Sequence, residues 1–236
     1  MKFKELQRLA ESREWSKFKT ELRASATEVK SQKRLNELLI RSTLAPKLDI
    51  FDALLDMGAD INGRWKTYTA LTTACETVDP ARVRALVKRG ADIDKTGFDR
   101  ASPLVRAIKN GTEWENDEIR NHSLTTGKFL IKQGCDVDQK DIVGNTALDY
   151  AFEAHWPAAA SELLKAGASI NRCSDNGRWL LFHACTHPTP ELLILYLKFG
   201  GDPTIRVGNT SSASDFLAKS GKLEMKALLE KYLPAN

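Results

Sequence analysis

Apolar residues recur along the chain in pairs at a regular step. In five segments, two adjacent apolar residues precede a glycine, the second of them three positions ahead of it. In most segments, about 20 residues separate a leading Thr, Ser or Trp from this glycine. This length suits two short helices joined by a turn and is too long for one strand. The pattern predicts two helices per segment, with the apolar pair on the second. The pairs are Leu54-Leu55, Leu86-Val87, Leu130-Ile131, Leu163-Leu164 and Tyr196-Leu197.

The residues around each glycine also repeat. The spacings from glycine to glycine are 32, 44, 33 and 33 residues, and a second block, which begins with Thr, Ser or Trp and leads to an alanine, keeps the same step. Because the glycine block and the second block recur with the same spacing, the sequence indicates an internal repeat. The glycine blocks are Gly58-Ala59-Asp60-Ile61-Asn62, Gly90-Ala91-Asp92-Ile93-Asp94, Gly134-Cys135-Asp136-Val137-Asp138, Gly167-Ala168-Ser169-Ile170-Asn171 and, more loosely, Gly200-Gly201-Asp202-Pro203; the second blocks begin at Thr69, Ser102, Thr146 and Trp179 and lead to Ala74, Ala107, Ala151 and Ala184.

These blocks resemble the ankyrin-repeat family, whose consensus carries T-P-L-H-x-A on a first helix and G-A-D-x-N after a second. The resemblance, specific between about residues 35 and 210, implies an all-α solenoid of stacked helix-turn-helix units with projecting β-hairpin loops. We expect about seven units in a single domain, 1–236. The expected units are an N-terminal cap helix pair at 1–34, repeats at 35–67, 68–100, 101–144, 145–177 and 178–210, and a C-terminal cap at 211–236.

Proline marks the junction between the two helices of a unit. Asp79-Pro80, Trp156-Pro157 and Thr189-Pro190 share one register, and proline is tolerated at the first helical position. We therefore expect Asp79 and Thr189 to act as N-caps of second helices.

The third repeat exceeds the 33-residue step by 11 residues, and the surplus falls near 109–123. One interpretation is a protruding acidic turn that presents Trp114 to a partner. The other is a longer helix pair in which Trp114 and Ile119 pack on each other.

Composition limits the function classes. The longest apolar run, Leu192 to Leu197, is far shorter than a membrane span, and no secretory signal is visible, so we expect a cytoplasmic protein. A net charge of +4 does not favour general affinity for nucleic acid, which remains an alternative role for the basic loops. The four cysteines lack C-x-x-C spacing and are expected to be reduced thiols.

Candidate catalytic chemistry is sparse. His183 and His187 stand four residues apart with Cys185 between them, which suggests a metal-binding or enzymatic alternative, although the glutamate of H-E-x-x-H is absent. This segment stands in the same register of the repeat as Ala74 and Cys75, which favours an ordinary first helix of a repeat instead of a metal site. No phosphate loop, dinucleotide fingerprint or nucleophile elbow is present, so we expect neither an enzyme nor a cofactor.

The loops between units carry aromatic and basic residues in alternation. In the ankyrin family the hairpin tips and first helices form a concave face that binds proteins, and the excess of basic residues implies an acidic protein partner. We expect a monomer that acts through binding, as a stoichiometric inhibitor, an immunity-type protein or a scaffold. Tyr68 and Phe98 are the aromatics expected to be structural. The candidate partner-binding residues are Arg64, Trp65, Lys66, Phe98, Arg100, Trp114, Lys140, Ile142, Arg172, Arg178 and Trp179.

Overall fold

The computed structural model describes residues 2–24, 31–45, 48–77, 79–113, 116–171, 180–207 and 211–234. Within these ranges, fourteen helices follow one another as seven pairs, which confirms the predicted all-α solenoid. We number the pairs as units 1 to 7. The helices are α1 (Lys2–Glu11), α2 (Trp15–Ala24), α3 (Gln32–Ser42), α4 (Asp49–Asp56), α5 (Ala70–Cys75), α6 (Pro80–Lys88), α7 (Pro103–Glu113), α8 (Asp117–Lys132), α9 (Ala147–Glu153), α10 (Pro157–Lys165), α11 (Leu180–Thr186), α12 (Glu191–Lys198), α13 (Ala213–Lys219) and α14 (Leu223–Glu230).

The units stack because like helices contact like helices. Each first helix lies against the first helix of the next unit, from α1 to α13, and from α6 onward the second helices form a parallel row. The predicted alanines of the first helices, Ala74, Ala107, Ala151 and Ala184, are completely buried. Their small side chains let neighbouring helices approach closely, so the core runs along the whole row of units.

A left-handed glycine ends the second helix of each of units 2 to 6. Gly58, for example, has a φ of +91°. Its N–H donates to the carbonyl of Leu55 at 2.8 Å, and the Ala59 N–H donates to the carbonyl of Leu54 at 2.9 Å. This is the Schellman arrangement, which an L-residue would enter only at a conformational cost.

Beyond this glycine, side-chain oxygens connect consecutive units. Asn62 Oδ1 accepts from the backbone N–H of Asp92 at 2.8 Å. In the same way, Oδ1 of Asp94, Asp138 and Asn171 each accepts from a backbone N–H of the unit that follows. We call these bonds the inter-unit ladder. The aspartates at the third position of the motif serve the local turn, since Asp92 Oδ1 accepts from the N–H of Asp94 at 3.0 Å.

Regular strand pairing in the loops is short. Among the described residues, Trp65 and Tyr68 form a single antiparallel bridge, and the strands β1 (Arg206–Val207) and β2 (Ser211–Ser212) pair as a two-residue ribbon.

The helix caps agree with expectation at Asp79 and differ at Thr189. Asp79 Oδ1 accepts from the N–H of Arg82 at 3.1 Å. The N-cap of α12 is Pro190, and the hydroxyl of Thr189 is instead 2.7 Å from Nδ1 of His187. The Thr189 prediction was wrong because the imidazole two residues earlier competes for its side chain.

The surplus residues of the third repeat extend both helices of unit 4. They contribute the end of α7 and the beginning of α8, where Asn116 caps α8 by accepting from the N–H groups of Glu118 and Ile119. Gly111 allows the ring of Trp156 to approach, because a Cβ at this glycine would overlap the ring. The described part of this segment is therefore a longer helix pair, and Trp114 lies outside the described residues.

The core of unit 6 is packed differently from the cores of units 2 to 5. At the position where those units have the first leucine of the apolar pair, unit 6 has Tyr196, which is fully buried. Where they place alanine or cysteine after the glycine, it has Gly201, and a Cβ there would overlap the Tyr196 ring. The Tyr196 hydroxyl donates to the carbonyl of Asp202 at 3.1 Å. The larger ring and the missing methyl group compensate each other.

Two histidines meet between units 5 and 6. The rings of His155 and His187 lie 4.3 Å apart, centre to centre. Burial, followed by the charges of His187, His183 and Lys222, lowers the pKa of His155. The Lys222 ammonium donates to the backbone carbonyls of Cys185, Thr186 and His187 at 2.6–2.9 Å, which fixes a positive charge close by. A hydrogen bond with the Thr189 side chain lowers the pKa of Glu191, and the charge of His187 lowers it further to a smaller extent.

We expect Asn171→Ala to lower the free energy of unfolding by at least about 0.5–1.5 kcal/mol, because it removes one bond of the inter-unit ladder together with the side-chain bonds of Asn171 to the Gly200 carbonyl and the Tyr196 hydroxyl. Urea denaturation followed by circular dichroism measures this loss. Asn121→Ala, on the exposed side of α8, is the matched control. Equal losses in the two variants would show that the ladder bond contributes nothing.

We expect stability to fall as the pH drops below about 6.5, the ordinary pKa of histidine. Because the folded-state pKa of His155 is lowered, the unfolded chain binds more protons in this range and is favoured. Melting temperatures at pH 7.5 and 5.5 test this, because the wild type should lose more than His155→Gln between these two pH values. An identical pH response of wild type and His155→Gln would contradict the prediction.

Candidate protein-interaction surface

The loop between units 2 and 3 is a tight hairpin that carries three candidate residues. The N–H of Trp65 donates to the carbonyl of Tyr68 at 3.0 Å, and the Tyr68 N–H returns the bond at 3.1 Å. Lys66 occupies the turn with a φ of +52°. The neighbouring hairpin fits closely, since a Cβ at Gly97 would overlap the Thr67 backbone. The Arg64 guanidinium donates to the carbonyl of Thr96 at 2.7 Å and ties the two loops together.

Trp65 is half-buried and held by two cations. The Arg41 guanidinium lies 4.5 Å from the centre of its ring, and the Lys66 ammonium lies 4.7 Å from it. Glu37 and Glu11 hold Arg41 in turn, at 3.1 and 3.0 Å. The ring is thus fixed by a chain of contacts that starts on the first helices, and Arg41 is a contributor that sequence reasoning missed.

Tyr68 has a comparable structural partner. The Arg106 guanidinium lies 4.8 Å from the centre of the Tyr68 ring. Arg106 also pairs with Glu76 at 2.5 Å and with Asp99. Burial raises the pKa of Glu76, an effect that the Arg106 charge opposes. These contacts agree with a structural role for Tyr68.

Phe98 was expected to be structural, but it is 65% exposed. Ile142 and Val143, on the next hairpin, are 65% and 56% exposed. The two loops are joined by a bond from the Ile142 N–H to the Asp99 carbonyl at 2.8 Å. We call Phe98, Ile142 and Val143 the tip patch. A sequence signal for it was available in the two consecutive apolar residues of a loop.

The basic and acidic residues near the tip patch differ in whether they have charged or hydrogen-bonding partners within the protein. Among the described residues, Arg64, Lys66 and Arg100 have no carboxylate partner, and each is exposed. The tip carboxylates, in contrast, are engaged inside the protein: Asp99 pairs with Arg106. Asp141 is buried and accepts from the Tyr150 hydroxyl at 2.6 Å. Lys140 is exposed at the same edge. The hairpin tips therefore expose cations and apolar side chains, whereas Asp99 and Asp141 are bound to other side chains of the protein.

A cavity of about 370 Å³ lies beside the Trp65 hairpin on the first helices of units 2 and 3. We call it the helix-face pocket. Its walls combine the rings of Trp65 and Tyr68 with Leu44, which is 42% exposed. The complete lining is Ile40, Arg41, Leu44, Trp65, Tyr68, Thr73, Glu76 and Thr77.

The remaining candidate residues, Trp114, Arg172, Arg178 and Trp179, lie outside the described residues. The structure thus brings Arg64, Trp65, Lys66, Phe98, Arg100, Lys140 and Ile142 to one edge. Their roles in binding remain predictions.

The structure does not place His183 and His187 on one helix, as the metal-binding alternative requires. The helix α11 ends at Thr186, so His187 lies beyond it, and the His187 Nδ1 accepts from the Thr189 N–H at 3.2 Å. Cys185 is buried, which raises the pKa of its thiol to about 12. The described ranges contain no group of three His, Cys, Asp or Glu residues placed to hold a metal ion. Nor does any helix in these ranges have the length and apolar character needed to cross a membrane.

Comparison with known proteins gives relatives, one of which is named for its ankyrin repeats. The chain is 31% identical over 209 residues to an ankyrin repeat domain-containing protein, SAT10, of Stachybotrys chartarum; the match covers 86% of this chain and 10% of that protein. It is 28% identical over 147 residues to the phosphocholine transferase AnkX of Legionella pneumophila, covering 60% of this chain and 15% of that protein. It is 30% identical over 104 residues to the human BCL-6 corepressor-like protein 1, covering 44% and 6%.

The chain spans only a small part of the length of these relatives, 6–15% in the three cases. No model of a known protein family matches it. The seven stacked helix pairs, the left-handed glycines and the relatives nevertheless agree. The chain belongs to the ankyrin-repeat family.

Proposed function

We propose that this chain is a protein-binding module that recognises an acidic protein surface through its hairpin edge. Ankyrin-repeat relatives support a protein-interaction role in general. The acidic character of the partner is our inference from the charges at the edge. Binding that occludes the partner would make the chain a stoichiometric inhibitor, and binding that leaves the partner's own site open would make it a scaffold.

The observation that carries the proposal is the tip patch with its surrounding cations. Two adjacent hairpins expose Phe98, Ile142 and Val143 together, and adjacent exposed apolar side chains mark interaction sites. Arg100 and Lys66 stand near them without a carboxylate partner in the described ranges. A partner that covers the patch and supplies carboxylates would satisfy both groups, because arginine pairs strongly with carboxylates.

We propose further that the chain acts by binding rather than by catalysis. AnkX is named as a transferase, but this chain corresponds to only 15% of its length, so we do not extend that activity to this chain. Metal chemistry at His183, Cys185 and His187 is the alternative that stoichiometric metal in the purified protein would revive. The cytoplasmic location and the monomeric state stay predictions.

We expect the double variant Phe98→Ser, Ile142→Ser to reduce capture of acidic proteins from a cell extract at least about tenfold, because it removes two apolar anchors of the patch. Quantitative mass spectrometry of proteins retained on the immobilised chain measures this. Capture should also weaken as salt is raised, since exposed charges are screened.

The matched control is Leu223→Ser with Tyr232→Ser, which removes two apolar side chains that are 65% and 51% exposed on unit 7. It should retain the captured proteins. Equal loss in both double variants would refute the assigned surface. Capture abolished by nuclease treatment would instead support binding of nucleic acid.

A further inference from the structure

We propose that the helix-face pocket receives one large apolar side chain from a linear segment of the partner, with carboxylates on both sides of that side chain. The inference rests on the proposed function and identifies the chemistry of the segment that is bound. It extends the contact surface from the hairpin tips onto the first helices of units 2 and 3.

The shape and lining of the pocket suit an apolar side chain. Its volume of about 370 Å³ lies within the ordinary range of ligand pockets, roughly 300–1,000 Å³. Ile40 is almost fully buried, and Leu44, which lines the pocket together with the rings of Trp65 and Tyr68, is 42% exposed. Covering Leu44 and the exposed part of Trp65 would remove apolar surface from water, which favours binding.

The pocket is already formed in the free chain. Trp65 is fixed by Arg41, and Arg41 by Glu37 and Glu11. Two backbone hydrogen bonds between Trp65 and Tyr68 fix the hairpin that carries both rings. An occupant therefore orders few side chains of this protein when it binds, which limits the entropic cost.

The charges around the pocket select acidic flanking residues. The carboxylates near the pocket already have cationic partners, since Glu37 and Glu11 pair with Arg41, and Glu76 pairs with Arg106, which also pairs with Asp99. Lys66 on the hairpin side is exposed and has no carboxylate partner within the described ranges. On the other side, a neighbouring cavity shares Leu44, Glu76 and Thr77 with the pocket. It is also lined by the ion pair of Asp79 with Arg82 and by the exposed Arg13, which has no carboxylate partner in those ranges. Within the described residues, a cation without a carboxylate partner thus stands on each side of the pocket.

A selection with random twelve-residue peptides displayed on phage, against the immobilised full chain, tests this proposal. We expect enriched peptides to share one aromatic or large aliphatic residue between Asp or Glu residues. The synthetic form of the leading peptide should bind Leu44→Asp and Trp65→Ala at least about tenfold more weakly than wild type, and Lys66→Glu should also weaken it.

The controls are matched in exposure and chemistry. Ile194→Asp places the same charge at an apolar residue of α12 that is 45% exposed, against 42% for Leu44. Lys219→Glu reverses an exposed lysine of α13. Both should retain wild-type affinity, and melting temperatures should show that Leu44→Asp is folded. Should Trp65→Ala prove unfolded, Leu44→Asp alone decides.

The outcomes separate this inference from the proposed function. Peptides that depend on Phe98 and Ile142 but bind Leu44→Asp normally would overturn the pocket assignment and leave the hairpin edge standing. A consensus without acidic residues, or a folded chain that enriches no peptide, would overturn the acidic linear segment. A dimer of the chain that Leu44→Asp dissociates, seen by analytical ultracentrifugation, would make a second copy the occupant instead.

Discussion

The arrangement of the units depends on one kind of bond, in which a side-chain oxygen at the base of one hairpin accepts from the backbone N–H of the next. Asn62, Asp94, Asp138 and Asn171 all make it. The apolar faces of the helices drive stacking but tolerate sliding, because burial has no direction. A hydrogen bond has a direction and a length, so the ladder fixes the spacing and register that stacking alone leaves open.

This constraint also explains which charges are available to a partner. The repeating acids of the loops are used on backbone N–H groups, and Asp99 and Asp141 are used on other side chains. The basic residues of the same loops have no such repeating internal role. The hairpin tips can therefore expose Arg64, Lys66 and Arg100 to a partner, although the net charge of the chain is only +4.

Much of the fold could be predicted from the sequence because it is local and repeated. The glycine spacing, the apolar pairs and the buried alanines each recur several times, so a single exception does not obscure them. The site was less predictable. The contacts of Trp65 with Arg41 and of Tyr68 with Arg106 join residues 24 and 38 positions apart and do not recur. The exposure of Phe98 and the competition of His187 for Thr189 depend likewise on particular neighbours.

The pairing of Tyr196 with Gly201 limits how the units could have been exchanged during evolution. A unit that supplied the tyrosine together with the alanine of its siblings would clash, whereas one that supplied leucine with glycine would leave a void. Either intermediate carries a penalty, so the two positions are expected to change together or not at all. Recombination between repeats would preserve this pairing only when the C-terminal end of α12 and the turn that follows it are transferred together.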